Sequence, residues 1–392
     1  MPMNAELRDS TAIVGIGETS YAKRGMSPET PLVLGCEAIL AAVADAGLSI
    51  DDVDGISYYA SFTPDPAVIA QVLGIPALRF SAGMTGGGGG SAGSVGLASM
   101  AVATGLADVV VTVHVSKFVP QQAAAYFANA AATQGAWFDF VSPAGLVAPG
   151  QMFSIMARRH MHEFGTRREH FGEVAVSNRT YASRMEAAVM RDTITLDDYL
   201  AARMISDPLC LFDYCLQTDG AAAVVTTSAS RAADLRQPPV YIRGMAQGGE
   251  GVWGQGEEWL QMPDEIFASA GYRSIVPDLY ASAGIGSDEI DVALLYDHFT
   301  AMVLMQLEDF GCCPRGESGP FVESGAIRQS GSIPVNTHGG SHSYANLNGM
   351  THIPEAVRQL RGTATNQVPD AGVALVTGGP GKLPMSALIL RR

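Results

Sequence analysis

One stretch of this 392-residue chain occurs twice. Ala46-Gly47-Leu48-Ser49-Ile50-Asp51-Asp52-Val53-Asp54 recurs as Ala283-Gly284-Ile285-Gly286-Ser287-Asp288-Glu289-Ile290-Asp291. In each copy a helical pattern stops at glycine, which enters the left-handed region without a Cβ penalty. Each copy then runs into a strand-like segment, 55–61 in the first and 292–296 in the second. Each is also preceded by an apolar β-type segment, 11–17 and 240–245. Duplicated strand–helix–strand units predict a duplicated, mostly parallel α/β core.

The rest of the chain fits two halves. Residues 91–104 read as a helix and 108–115 as a buried strand. Between about 119 and 216 the character changes to a helical excursion, with helices over 152–164 and 169–183 and interspersed arginines. It closes at Asp219-Gly220-Ala221-Ala222-Ala223-Val224-Val225, a strand that returns to the first core. Residues 228–239 read as a linker, and 372–377 and 385–390 as closing strands. The expected division is 1–235, containing the insertion, and 236–392.

Composition narrows the function classes. Hydrophobic residues at 47% and charged residues at 16% describe a globular chain, not a disordered one. A formal charge of -15 argues against nonspecific nucleic-acid binding, which needs a basic face. No apolar run reaches the length of a membrane span. The five cysteines, Cys36, Cys210, Cys215, Cys312 and Cys313, include no C-x-x-C pair, so no zinc ribbon is expected in this chain. Their odd number and a polar, acidic N-terminus without a signal-peptide pattern point to the reducing cytoplasm. His298, His338, His342 and His352 show no zinc-protein spacing, so no metal site is expected. The Gly86–Gly90 run lacks the Gly-Lys-Ser/Thr ending of a phosphate loop.

Four marks, taken in order, carry a family resemblance: Gly105-Leu106-Ala107-Asp108, Asp219-Gly220-Ala221-Ala222-Ala223, Tyr296-Asp297-His298-Phe299 and Asn336-Thr337-His338-Gly339-Gly340. Over nearly its whole length the sequence resembles the thiolase superfamily, in particular its sterol-carrier-protein-type branch. The resemblance implies two βαβαβαββ halves stacked as α-β-α-β-α layers, an inserted loop domain and a homodimer.

The departures from that pattern are chemical. Counting back from Gly105 at the family spacing, the acyl-accepting cysteine position is Gly88. A glycine offers no side chain to acylate. The histidine of the family's His-Asp-Cys-Phe motif is Tyr296, and the histidine of its Gly-His-Pro motif falls at Asn346. The late Cys-x-Gly-Gly site reads Val376-Thr377-Gly378-Gly379. No cysteine lies nearby in sequence, so thiol reagents are expected to spare activity.

A narrower resemblance follows, to the thiolase-like retro-aldolases of bacterial steroid side-chain degradation, which lack these cysteines and carry two pocket tyrosines. It implies Tyr296 and Tyr344 as catalytic acid and base. By position alone Tyr296 equally reads as a strand-end core aromatic, and Tyr344 as part of a turn. Tyrosine titrates near pH 10, so proton transfer at neutral pH needs a neighbour, for which His298 and His342 are candidates. Asn346 is either a donor to a thioester oxygen or a helix cap. Gly88, Gly339 and Gly340 would let backbone approach the substrate. Arg179 and Arg184 either meet coenzyme A phosphates or form a solvated face.

The implied reaction is retro-aldol cleavage of a β-hydroxyacyl-CoA steroid, 17-hydroxylated with a three-carbon CoA side chain, to a 17-ketosteroid and propionyl-CoA. It needs no cofactor. The resemblance also implies a small OB-fold, zinc-ribbon partner in a hetero-oligomer, with zinc only in that partner. The alternatives are a non-catalytic acyl-CoA-binding scaffold and a lipid-transfer protein.

Overall fold

A helix buried on nearly every side forms the middle of the molecule. It spans Gly90–Ala103, and only Leu97, Met100 and Ala103 reach solvent. Its Gly/Ala/Ser composition gives no polar face, so it is stable only between two layers. It packs on strands of both halves at once. The second helix of that layer, His352–Arg361, also touches strands of both halves. The computed structural model describes residues 5–60, 62–84, 90–117, 141–146, 148–249, 267–381 and 384–392. Gly88 lies outside them.

The first half supplies β1 (Thr11–Glu18), β2 (Ala22–Lys23), β3 (Gly55–Tyr59), β4 (Phe80–Met84) and β5 (Val109–Ser116). The insertion carries a small hairpin, β6 (Met204–Ser206) and β7 (Leu209–Cys210), before β8 (Thr218–Ser228) returns to the first half. The second half supplies β9 (Val240–Gly248), β10 (Val292–Leu294), β11 (Val373–Gly378) and β12 (Met385–Arg391). Their order is β10-β11-β12-β9-β1-β8-β5-β3-β4, the halves meeting where Ala12 and Ile13 of β1 face Tyr241 and Val240 of β9. Outside the strands lie the helices Pro31–Ala46, against β1, β5 and β8, and Val276–Ala283, against β9 and β12. The result is the α-β-α-β-α layering. Among the described residues no helix is long and apolar enough to cross a membrane.

The sequence repeat is a structural repeat. Gly47 (φ 75°) and Gly284 (φ 66°) both end their helices in the left-handed region. Both are followed by a single 3₁₀ turn, Ile50–Asp52 or Ser287–Glu289, and then by β3 or β10. Among the described strands the expected parallel character holds only for β3–β4, β3–β5 and β10–β11; the other strand pairs are antiparallel. The reason is connectivity. A short link joins β11 to β12 with no crossover helix, and such a link can only return the chain antiparallel. The expected linker 228–239 also holds a short helix, Ala229–Ala232, capped by the Ser228 side chain.

The insertion is anchored, not loosely appended. Its helix Arg168–Ala182 packs on helices of the second half. Asp213, fully buried, accepts from Tyr199 Oη (2.8 and 2.9 Å), from Cys210 N–H (2.6 Å) and from the Thr300 hydroxyl of the second half. A buried carboxylate is tolerated when donors satisfy its lone pairs, as they do here.

Candidate active site

Tyr296 follows the end of β10, inside the molecule and 4% exposed. Its backbone is pinned on both sides: N–H donates to Thr377 Oγ1 (2.9 Å), and C=O accepts from Gln306 Nε2 (3.0 Å). Its ring lies flat on His298, with centroids 5.1 Å apart and an interplanar angle of 12°. Its hydroxyl oxygen accepts from Asn348 Nδ2 at 3.4 Å. Burial pushes the phenol well above its ordinary value, helped by Cys215 and Tyr59, with the Asn348 amide pulling the other way. Tyr296 is therefore a neutral phenol at physiological pH.

His298 is walled by Phe153 (4.4 Å) and Phe299 (4.9 Å). Burial pushes its imidazole down to about 3 against the pull of Asp297, so it is neutral. Its Nδ1 is buried with no partner among the described residues. An orphaned N–H there costs more than a bare lone pair. That places the hydrogen on Nε2.

Beneath these rings lies Asp297. It accepts from Asn178 Nδ2 (2.8 Å) and Ser341 N–H (2.8 Å), and lies 3.2 Å from His352 Nε2 and 3.4 Å from His342 Nδ1. Burial alone would raise its carboxyl, but the two histidines and the Ser341 N–H outweigh it and hold it at about 2. Gly339 (φ 105°) and Gly340 (φ 61°) make this wrap possible. A Cβ on Gly340 would stand 2.0 Å from Asp297 Oδ2, and one on Gly339 2.6 Å from Ala182 Cβ. Their close approach is thus to Asp297 and the insertion helix, not to a substrate.

Tyr344 occupies a second pocket and is 3% exposed. Its hydroxyl donates to Glu18 Oε1 at 3.4 Å. Glu18 also accepts from Tyr21 Oη (2.6 Å) and from the Arg358 guanidinium. Burial and Glu18 both raise the Tyr344 phenol. Among the described residues the two tyrosines share no hydrogen-bond partner; the rings of His338 and His352 lie in series between them (Tyr344–His338 5.0 Å, His338–His352 4.9 Å, His352–Tyr296 6.2 Å). Their anchors are nevertheless neighbours. Glu18 of β1 and His114 of β5 both face Ala222 of β8, on one rung of the sheet. Directly paired residues share a face, so both side chains enter the central layer, about 10 Å apart at two strand spacings.

Three expectations are corrected. His342 touches neither tyrosine hydroxyl: its Nε2 donates to Asp213 C=O (3.2 Å) and its Nδ1 lies 3.1 Å from Asn178 Nδ2, so it ties the insertion to Asp297. Asn346 is neither a free donor nor a helix cap. Its amide hydrogens go to Leu216 C=O (2.9 Å) and Cys215 Sγ (3.3 Å), while its Oδ1 accepts from Asn348 N–H (3.0 Å). Arg179 is buried, donating to Asp192 C=O and lying over Phe212, which removes it from any phosphate. Arg184 is exposed and borders a cleft of about 960 Å³ beside the insertion helix.

Sequence reasoning missed four participants: Glu18, His114, Asn348 and Cys215. Cys215 is far from every family cysteine position, yet the fold brings it beside Asn346 and Tyr296. Burial, with Asp297, pushes its thiol up to about 12, so it is not a thiolate nucleophile at neutral pH.

The comparisons with known proteins agree with this frame. Residues 252–391 match the model "Thiolase C-terminal domain-like". The chain is 41% identical to a steroid side-chain-cleaving aldolase of Thermomonospora curvata, with 98% of each chain covered. The chain belongs to the thiolase superfamily. It falls in the branch of these aldolases. It is also 39% identical to the 17-hydroxy-3-oxo-4-pregnene-20-carboxyl-CoA lyase of Mycobacterium tuberculosis, covering 98% of this chain and all of that one. A solved structure titled "Ltp2-ChsH2(DUF35) aldolase" superposes with a TM-score of 0.88 at 38% identity, covering 98% of both chains.

Proposed function

We propose that this chain is a carbon–carbon lyase that cleaves the side chain of a steroid acyl-CoA by retro-aldol reaction. The substrate is a 17-hydroxysteroid with a three-carbon CoA side chain; the products are a 17-ketosteroid and propionyl-CoA. Similarity over nearly the full length, at 41% and 39% identity, to two enzymes named for this class of cleavage supports the reading. The observation that carries it is the polarity of the two buried phenols. Tyr296 accepts from an amide and has its own hydrogen to give. Tyr344 gives its hydrogen to a carboxylate and keeps its oxygen lone pairs to accept with.

The roles follow from that polarity. Tyr344 takes the proton of the substrate hydroxyl as its own passes to Glu18. The Cα–Cβ bond breaks, leaving a ketone and a thioester enolate. His298 Nε2–H donates to the enolate oxygen, and Tyr296 protonates the enolate carbon. No acyl-enzyme forms, in keeping with a neutral Cys215 thiol and a glycine at position 88. The working assembly is a dimer of this chain bound to a DUF35-type partner with an OB-fold and a zinc ribbon.

The test is incubation of the chain, with and without such a partner, with the 17-hydroxy steroid thioester. Equimolar 17-ketosteroid and propionyl-CoA are expected. Release of a thiolysis product, or binding without turnover in the complete complex, overturns the reading.

A further inference from the structure

The hydroxyl of Tyr296 stands at the end of a line of hydrogen bonds whose direction is set by the amide of Asn348. Val115 N–H, which can only donate, donates to Thr63 Oγ1 (3.3 Å). The Thr63 oxygen, which keeps a second lone pair and its own hydrogen, lies 3.1 Å from His114 Nδ1. Asn348 Oδ1, which can only accept, faces His114 Nε2 (3.2 Å), so Nε2 carries the ring hydrogen and Nδ1 is left to accept from the Thr63 hydroxyl. With its oxygen facing His114, Asn348 turns its amide nitrogen to the Tyr296 oxygen (3.4 Å). His114 is fully buried, and burial pushes it down to about 4, so the ring stays neutral and keeps one acceptor and one donor.

Asn348 is built for this place. It adopts φ 49°, a left-handed conformation that asparagine tolerates better than most residues. Its N–H donates to Asn346 Oδ1 (3.0 Å), and its C=O accepts from Ser91 Oγ (2.8 Å) at the entry of the central helix. With its backbone held on both sides, Asn348 presents Oδ1 to His114 and Nδ2 to Tyr296.

We propose that Thr63, His114 and Asn348 are positioning residues that fix the Tyr296 hydroxyl as a proton donor into the site. The inference rests on the proposed role of Tyr296. Among the described residues the Tyr296 hydrogen has no acceptor, which leaves it for the substrate. When Tyr296 protonates the enolate carbon, its O–H bond breaks as the new C–H bond forms. The charge left on the phenolate oxygen sits where the Asn348 N–H already points. Solvent takes up the proton left on Glu18 and returns one to the Tyr296 phenolate, so the cycle balances.

The experiment compares Asn348→Asp, His114→Phe and His114→Gln, alone and in a Tyr296→Phe background, using the complete complex and the steroid thioester. An ionised aspartate cannot donate to the phenol. Asn348→Asp should lower kcat about 100-fold with KM changed less than about 3-fold, and kcat should recover toward low pH as the carboxyl regains a hydrogen. His114→Phe frees the amide to turn and should lower kcat about 10-fold, whereas His114→Gln keeps a donor and should restore most of it. In the Tyr296→Phe background none should cause further loss, because the group they position is gone. Asn348→Asp and His114→Phe with unchanged kcat, in a protein that Tyr296→Phe inactivates, overturn the relay and leave the lyase reading standing. Full turnover by Tyr296→Phe itself overturns the lyase mechanism first.

Discussion

Tyr296 and Tyr344 are buried to the same degree, 4% and 3% exposed, and burial raises both phenols. By residue type, environment and acidity they are alike. Their hydrogen bonds run in opposite directions. Tyr296 receives a hydrogen from Asn348, a neutral amide held by a neutral histidine. Tyr344 gives its hydrogen to Glu18, a carboxylate held by Arg358 and Tyr21. The difference teaches that acid and base can be assigned between identical side chains by the polarity of one hydrogen bond, where acidity alone leaves them equivalent.

The strongest way to break the comparison is to remove each hydroxyl. Tyr296→Phe and Tyr344→Phe keep the rings, so packing changes little. Each should lower kcat on the order of 100-fold or more in steady-state assays. A variant that turns over normally loses its assigned role. A solvent-deuterium experiment sharpens the contrast: any residual product of Tyr344→Phe should still carry solvent deuterium at the α-carbon.

Glu18→Gln attacks one side of the comparison only. The amide oxygen can accept the Tyr344 hydrogen bond but cannot take its proton, and Arg358 loses its counter-charge. A fall in kcat of about 10- to 100-fold is expected, with the response to Asn348→Asp unchanged, because the two pockets share no partner. Coupling between Glu18→Gln and Asn348→Asp in a double-mutant cycle would erase the distinction drawn here.

Acid should act on the Tyr296 side through stability. His114 and His298 are pushed down to about 4 and about 3. Below about pH 6.5 the unfolded chain binds protons at these positions and the folded chain does not, so stability falls as pH falls toward those values. Each contributes a slope of up to about 1.4 kcal/mol per pH unit. Asp309 works the other way: burial raises it to about 7, so its contribution grows as pH falls from 7 toward 4. His114→Gln removes one histidine term. Between pH 6.5 and 4.5, its denaturant-measured stability should fall by about 2 kcal/mol less than that of the parent. Parallel curves would mean that His114 is not held neutral.

The smallest effect is expected at Cys215. Cys215→Ser should keep kcat within about 3-fold, since the thiol is not a nucleophile. A thiol reagent should leave the parent active as well, because a buried thiol held at about 12 offers almost no thiolate to react. Alkylation that abolishes turnover with the fold intact would contradict the expectation that thiol reagents spare activity. Loss of turnover in the serine variant with its fold intact would point to covalent chemistry after all.

By itself the sequence determined the frame: the duplicated units around Gly47 and Gly284, the central Gly/Ala helix, and a phenol and an amide at two histidine positions of the family. These are local patterns, and helix stops, strand periods and motif order are written in neighbouring residues. The direction of pairing was less legible, because β8 and β12 return beside strands distant in the chain. What only the tertiary structure decided is the wiring. Glu18 meets Tyr344 across 326 positions, and His114 meets Asn348 across 234. Asn346 and His342 carry the polar groups that a catalytic role requires, yet the fold commits those groups to Leu216, Cys215, Asn178 and Asp213. A side chain's type says what it can donate or accept. Only its neighbours in space, each obliged to satisfy its own buried donors and acceptors, decide which way the hydrogen points.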